Sequence, residues 1–153
     1  MASGDRAVLW DLDGTLADST AFHLRSWQAA MGPVGIDVTE ARFLETFGQR
    51  NEAILPQWLG ARSTPRLVAE LADAKESLYR AFVAEAGLAP LPGALEWLRR
   101  LHAAGWRQAI ASSAPRRNVD VMIEALDIAG LIEASVAAED VRHGKPAPDV
   151  FLA

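Results

Sequence analysis

Ala7-Val8-Leu9-Trp10-Asp11-Leu12-Asp13-Gly14-Thr15 opens as four apolar residues and closes as a turn rich in carboxylates. An apolar run of that length, closed by a glycine-containing turn, reads as a buried strand emptying into a loop. Working outward, Ala21, Leu24, Trp27 and Met31 fall at helical spacing until Gly32-Pro33 interrupts them. Two short helices are expected around Glu40–Thr46 and Asn51–Leu59. Thr64-Pro65 then reads as an N-cap followed by proline at the first helical position, where its missing N–H costs little. Leu67, Leu71, Ala74, Leu78 and Phe82 trace one face of the long helix that follows, with Gly87 placed to end it. Nothing between Ser19 and Gly87 has the alternation of a strand.

After Pro90 the pattern changes. Leu95, Leu98 and Leu101 share a helix face from Pro92 to Gly105, and Trp106–Ala111 reads as a strand ending at Ser112-Ser113. Val119, Met122, Ile123 and Leu126 repeat at i, i+3, i+4 and i+7, Ala134–Ala138 reads as a short strand, and Gly144-Lys145-Pro146 as a loop. Helices alternating with strands imply crossovers and a parallel sheet. The fold expected is α/β, with a core built from residues 1–18 and 88–153 and a helical insertion at residues 19–87. The five tryptophans are read as core or junction residues.

The chain of 153 residues is half hydrophobic and 23% charged, which suits a folded domain rather than a disordered tail. Its net charge of −5 argues against nucleic acid as the main ligand. No apolar run is long enough to span a membrane, the residues from Met1 to Arg6 lack the apolar stretch of a signal peptide, and there is no cysteine for disulfides or thiolate metal sites. A cytoplasmic protein without membrane or nucleic-acid partners is expected.

Asp11 and Asp13 stand two apart at the end of the first expected strand, the edge at which parallel α/β sheets place ligands. Gly14 permits backbone geometry closed to other residues and lets amide N–H groups approach an anion. Two carboxylates at an anion site require a cation, and Mg²⁺ binds one or two carboxylates together with phosphate oxygens. One carboxylate would then attack while the other handles the proton. Taken alone, Asp-x-Asp-Gly is equally a turn, a fragment of a calcium loop or a solvated strand end. An EF-hand is disfavoured because the twelfth position counted from Asp11 is Phe22, not glutamate.

The stretch Trp10-Asp11-Leu12-Asp13-Gly14-Thr15-Leu16-Ala17-Asp18-Ser19 resembles the first signature of the haloacid dehalogenase (HAD) superfamily. Ile110-Ala111-Ser112-Ser113 resembles the second, and Gly144-Lys145-Pro146-Ala147-Pro148-Asp149 the third. The helical stretch between the first two is similar to the cap of the subgroup holding β-phosphoglucomutases and small-metabolite phosphatases. The resemblance implies a HAD-like Rossmannoid parallel core with an α-helical cap inserted after the first strand. It implies Mg²⁺-dependent phosphoryl transfer, with Asp11 as nucleophile and Asp13 as acid and base, both at the metal. Ser112 would bond a phosphoryl oxygen and Lys145 would offset negative charge, while Gly14, Thr15 and Ser113 would contact substrate. The second aspartate favours phosphate esters over haloacids. His23 matches a cap-proximal histidine of the subgroup, and Arg50, in Gly48-Gln49-Arg50-Asn51, matches a substrate-reaching cap loop; each is also an ordinary structural or surface residue. His102 and His143 carry no argument.

The reading is a phosphatase acting on a small phosphorylated metabolite, a sugar phosphate or a phosphoglycolate-like ester. A phosphosugar mutase of β-phosphoglucomutase type and a non-catalytic module are the alternatives. The family pattern continues past the lysine loop to a further acidic signature that completes the Mg²⁺ shell. The chain stops at Phe151-Leu152-Ala153, and neither Asp140 nor Asp149 is placed to substitute. The expectation is therefore a C-terminally truncated member that binds Mg²⁺ poorly, with strand exchange between protomers open to it.

Overall fold

The computed structural model describes residues 6–153. The chain divides into two units, residues 1–19 with 88–153, and residues 20–87. In the first unit three strands, β1 (Ala7–Trp10), β2 (Arg107–Ala111) and β3 (Ala134–Val136), form a parallel sheet in the order β1-β2-β3. Ala7 stands opposite Arg107 and Trp10 opposite Ile110, while Ala111 pairs with Val136. That register brings the C-terminal ends of all three strands to one edge.

Helix α5 (Ala94–Ala103) precedes β2 and helix α6 (Arg116–Ala125) links β2 to β3; a single turn, α7 (Asp149–Leu152), lies near the end. Helix α5 begins after Gly93, whose φ of 83° suits a residue without a Cβ. Leu98 from α5, Ile110 from β2 and Val119 and Met122 from α6 are fully buried and form the core beside the sheet. Central in it, the Gln108 side chain is satisfied on every side. Its amide donates to the carbonyls of Leu98 and Leu131 at 2.9 and 3.2 Å, and its oxygen accepts from Trp10 Nε1 at 2.9 Å.

Two expectations for this unit change. Strand β1 is not a buried strand: it is an edge of the described sheet, its residues alternate between exposed and half-buried, and Leu9 is 48% exposed. An edge strand is covered along one flank only, so an apolar run does not by itself imply full burial. Nor are all tryptophans internal, since Trp97 on the outer side of α5 is 55% exposed.

The second unit is helical: α1 (Thr20–Met31), α2 (Glu40–Leu44), α3 (Asn51–Leu59) and α4 (Pro65–Ala86). Thr64 caps α4, its hydroxyl accepting the Leu67 N–H at 3.2 Å, and Gly87 at φ 77° ends it. Helix α1 packs along α4, and Trp27, Met31, Phe43, Leu55 and Leu71 fill the core, with Trp27 and Trp58 meeting edge to face at 4.9 Å. The buried stripe of α4 is rotated from the one expected. It runs through Leu71, Lys75, Tyr79 and Val83 with Glu76 beside it, while Ala74 is exposed. Spacing of four along one helix selects that row, and an ionic pair lies in it.

Candidate active site

Where β1 ends, the chain folds into a tight turn. Leu16 and Ala17 N–H groups both donate to Leu12 O, at 3.0 and 3.1 Å, and Gly14 N–H donates to Ala17 O at 2.9 Å. Gly14 takes a φ of 74° to make this turn. Its amide is therefore spent inside the loop, and so is that of Thr15, which points at Leu12 O at 3.4 Å. The conformational freedom of Gly14 shapes the turn that presents the two aspartates.

Asp11 Oδ1 accepts from Leu12 N–H at 2.8 Å and from Lys145 Nζ at 2.7 Å. The side chains of Asp11 and Lys145 are 41% and 21% exposed, so the pair is partly desolvated yet reachable from solvent. It joins the first loop to the lysine loop across 134 positions of sequence. Both accepted bonds fall on Oδ1, which leaves the second oxygen of Asp11 to meet an electrophile or a cation.

Asp13 is held by Ser19, whose fully buried hydroxyl donates to Asp13 Oδ1 at 2.5 Å. Ser19 lies inside the first motif, but a serine six residues beyond a carboxylate gives no signal until the loop closes back on itself.

Ser112 follows β2 directly, and the register that sets Trp10 opposite Ile110 brings it to the same sheet edge as Asp11. Its N–H donates to Val136 O at 3.0 Å, and its hydroxyl oxygen accepts from Ala114 N–H at 3.0 Å, a local turn. The hydroxyl hydrogen stays available to an acceptor. Ser113, expected at the substrate, accepts the backbone N–H of Lys145 on its Oγ at 3.0 Å.

The lysine loop is closed at its base by His143 and Asp149. The His143 backbone N–H and its Nδ1 both lie against Asp149 Oδ1, at 3.1 and 3.0 Å. Desolvation pushes the Asp149 carboxyl up, but the hydrogen bonds from the His143 ring and backbone, with the ring's charge, outweigh it and hold the group below its ordinary range. Upstream, Asp140 accepts from Ala137 N–H at 2.8 Å and from the Arg116 guanidinium. The Ala137 bond chiefly, then Arg116, lowers its carboxyl against desolvation. Arg116 also grips Ser135 Oγ and O at 2.6 and 2.9 Å, so the end of β3 is fastened to the start of α6.

His23 and Arg50 belong to the helical unit. His23 stacks on Tyr79 with ring centroids 4.2 Å apart, and its Nδ1 lies 3.0 Å from Lys75 Nζ. A lysine ammonium can only donate, so Nδ1 is the acceptor in this contact. Lys75 Nζ also pairs with Glu76 Oε1 at 2.8 Å, with both side chains under 10% exposed. Asn51 Nδ2 reaches the same oxygen at 2.8 Å, tying the loop that carries Arg50 to this buried pair. Arg50 itself is half-buried and caps α3 with its carbonyl, which accepts from Ala53 and Ile54.

Among the described residues no group of three or more His, Asp or Glu side chains is arranged to hold a metal. Asp11 and Asp13 nonetheless offer hard oxygen donors on one loop. That set fits a cation which keeps much of its shell as water and phosphate oxygen. No described helix is long and apolar enough to cross a membrane.

Residues 6–153 match the haloacid dehalogenase-like hydrolase family. The protein CbbY of Rhodobacter capsulatus is 32% identical over 96% of this chain and 69% of its own length. Hexitol phosphatase A of Escherichia coli is 33% identical over 96% of this chain and 66% of its own. Among solved structures, a CbbY mutant from Rhodobacter sphaeroides in complex with xylulose-1,5-bisphosphate superposes with a TM-score of 0.80 at 26% identity, covering 97% of this chain and 70% of that one.

Proposed function

The chain belongs to the haloacid dehalogenase-like hydrolases, and from that premise we propose that it hydrolyses small phosphomonoesters, sugar phosphates foremost, by way of an aspartyl-phosphate on Asp11. The observation that carries the proposal is the 2.7 Å contact between Lys145 Nζ and Asp11 Oδ1. An ammonium so placed screens the charge of an attacking carboxylate from that of the incoming phosphate. The phosphatase among the relatives and the sugar bisphosphate of the CbbY complex support the substrate class.

In the first half-reaction Asp11 forms a bond to phosphorus as the ester P–O bond breaks, and Asp13 gives its proton to the departing alkoxide. In the second, Asp13 takes a proton from water. The oxygen of that water attacks phosphorus, the Asp11–phosphorus bond breaks, and inorganic phosphate leaves. Ser19 fixes the oxygen of Asp13 that does not carry the proton, and the Ser112 hydroxyl donates to a phosphoryl oxygen. Mg²⁺, which the Asp11 carboxylate and the backbone carbonyl of Asp13 would hold, would supply further neutralisation of the phosphate.

Release of inorganic phosphate from a panel of hexose, pentose and polyol phosphates, with Mg²⁺ present, tests the reading. Release that disappears in Asp11→Asn is expected. Equal release by Asp11→Asn, or formation of an isomeric sugar phosphate in place of inorganic phosphate, overturns it.

A further inference from the structure

We infer that Ser113 is a positioning residue for Lys145, acting through the backbone of the lysine loop rather than through substrate. The inference rests on the reading that Lys145 serves phosphoryl transfer. Ser113 follows Ser112 in the turn after β2, and its Oγ accepts the Lys145 N–H at 3.0 Å across 32 positions of sequence. From that anchored backbone the lysine side chain reaches Asp11 Oδ1 at 2.7 Å. One turn thus presents a hydroxyl for phosphate at Ser112 and fixes the charge opposite it.

The bonds that close the loop upon itself do not substitute for this tie. Ala147 N–H to Gly144 O at 3.1 Å and the His143–Asp149 clasp close the loop upon itself. Such bonds preserve its shape but not its station relative to the sheet. Arg116 with Asp140 fastens the chain five residues before Lys145. Ser113 fastens Lys145 itself. A long flexible lysine whose backbone drifts still finds a carboxylate part of the time, so losing the tie reduces the fraction of molecules in the reactive geometry.

The experiment compares Ser113→Ala, Ser113→Thr, Lys145→Ala and the double Ser113→Ala/Lys145→Ala variant. Amide hydrogen exchange at Lys145 is read by NMR, and kcat and KM are read with p-nitrophenyl phosphate. In Ser113→Ala the Lys145 amide is expected to exchange at least about 10-fold faster. Its kcat should fall about 5- to 10-fold at unchanged KM, the scale of one ordinary hydrogen bond. Ser113→Thr, which keeps the acceptor, should restore both. In the Lys145→Ala background Ser113→Ala should change kcat no further. Unchanged Lys145 exchange in Ser113→Ala, or an equal loss of kcat with and without Lys145, overturns the inference. Should the unmodified protein hydrolyse nothing, the phosphatase reading fails, while the exchange comparison still decides whether Ser113 tethers the loop.

Discussion

Lys75→Met removes a charge from the interior of the helical unit while keeping the aliphatic stem. In the native chain Lys75 Nζ lies 2.8 Å from Glu76 Oε1, 3.0 Å from His23 Nδ1 and 5.2 Å from the centre of the Trp27 ring. The side chains of the ion pair are 4% and 8% exposed, so solvent screening is slight. Taking away one member leaves the Glu76 carboxylate buried without that cation, a change that costs about 3–5 kcal/mol. At about 2–4 °C per kcal/mol for a chain of this size, Tm should drop by roughly 6–20 °C. Replacing both members, Lys75→Met with Glu76→Gln, removes the uncompensated charge and keeps an acceptor for Asn51. The double variant should return to within about 1.5 kcal/mol of the native chain. Urea unfolding followed by tryptophan fluorescence is the assay, because Trp27 reports from beside the pair. A loss below about 1 kcal/mol in Lys75→Met, or a double variant as unstable as the single one, refutes the reasoning.

Lys145→Ala should lower kcat for p-nitrophenyl phosphate by about 10²–10³; a change below about threefold would remove Lys145 from the chemistry. Asp13→Asn should cost about 10²–10⁴ on alkyl phosphates and less on p-nitrophenyl phosphate, whose leaving group needs no proton; equal losses on both would argue against an acid role. Asp140 and Asp149 both have carboxyls lowered in the folded chain, so their stabilisation is full above the usual carboxylate range and lost as pH falls through their lower folded values. Amide exchange at Ala137 and His143, compared with model-peptide rates at each pH, should lose protection only over that acidic interval; loss at neutral pH would contradict it.

Local patterns were legible where the physics is local. The run from Ala7 to Thr15, the Thr64-Pro65 helix start and the spacing in α6 each express backbone rules within a few residues. Parallel pairing followed from the alternation of helix and strand, and the common edge for Asp11, Ser112 and the end of β3 follows from parallel register. What stayed hidden depends on through-space pairs. Lys75 and Glu76 look like ordinary exposed charges of a helix. The one available signal was Lys75 at spacing four from Leu71 and Tyr79, in a row that the chosen leucine stripe passed by. His143 offered no pattern, since its partner Asp149 lies across a loop. Ser113 resembled its neighbour Ser112 in type and position, and only the fold shows that its Oγ holds the Lys145 N–H.

The two ends of the helical insertion are fastened side by side: Asp18 N–H donates to Ala89 O at 3.1 Å and Leu91 N–H to Leu16 O at 3.0 Å. In folding this bears on speed. Strand β1 must find β2 about 100 residues away, as Ala7 opposite Arg107, and such distant pairing is slow. Once α1 and α4 have packed together, the insertion becomes a rigid staple and the loop left to close shrinks to roughly 30 residues, those of 8–19 and 88–106. The closure cost then falls by about 1 kcal/mol. Substitutions that loosen the α1–α4 contact should therefore slow formation of the sheet, although none of the altered residues lies in it.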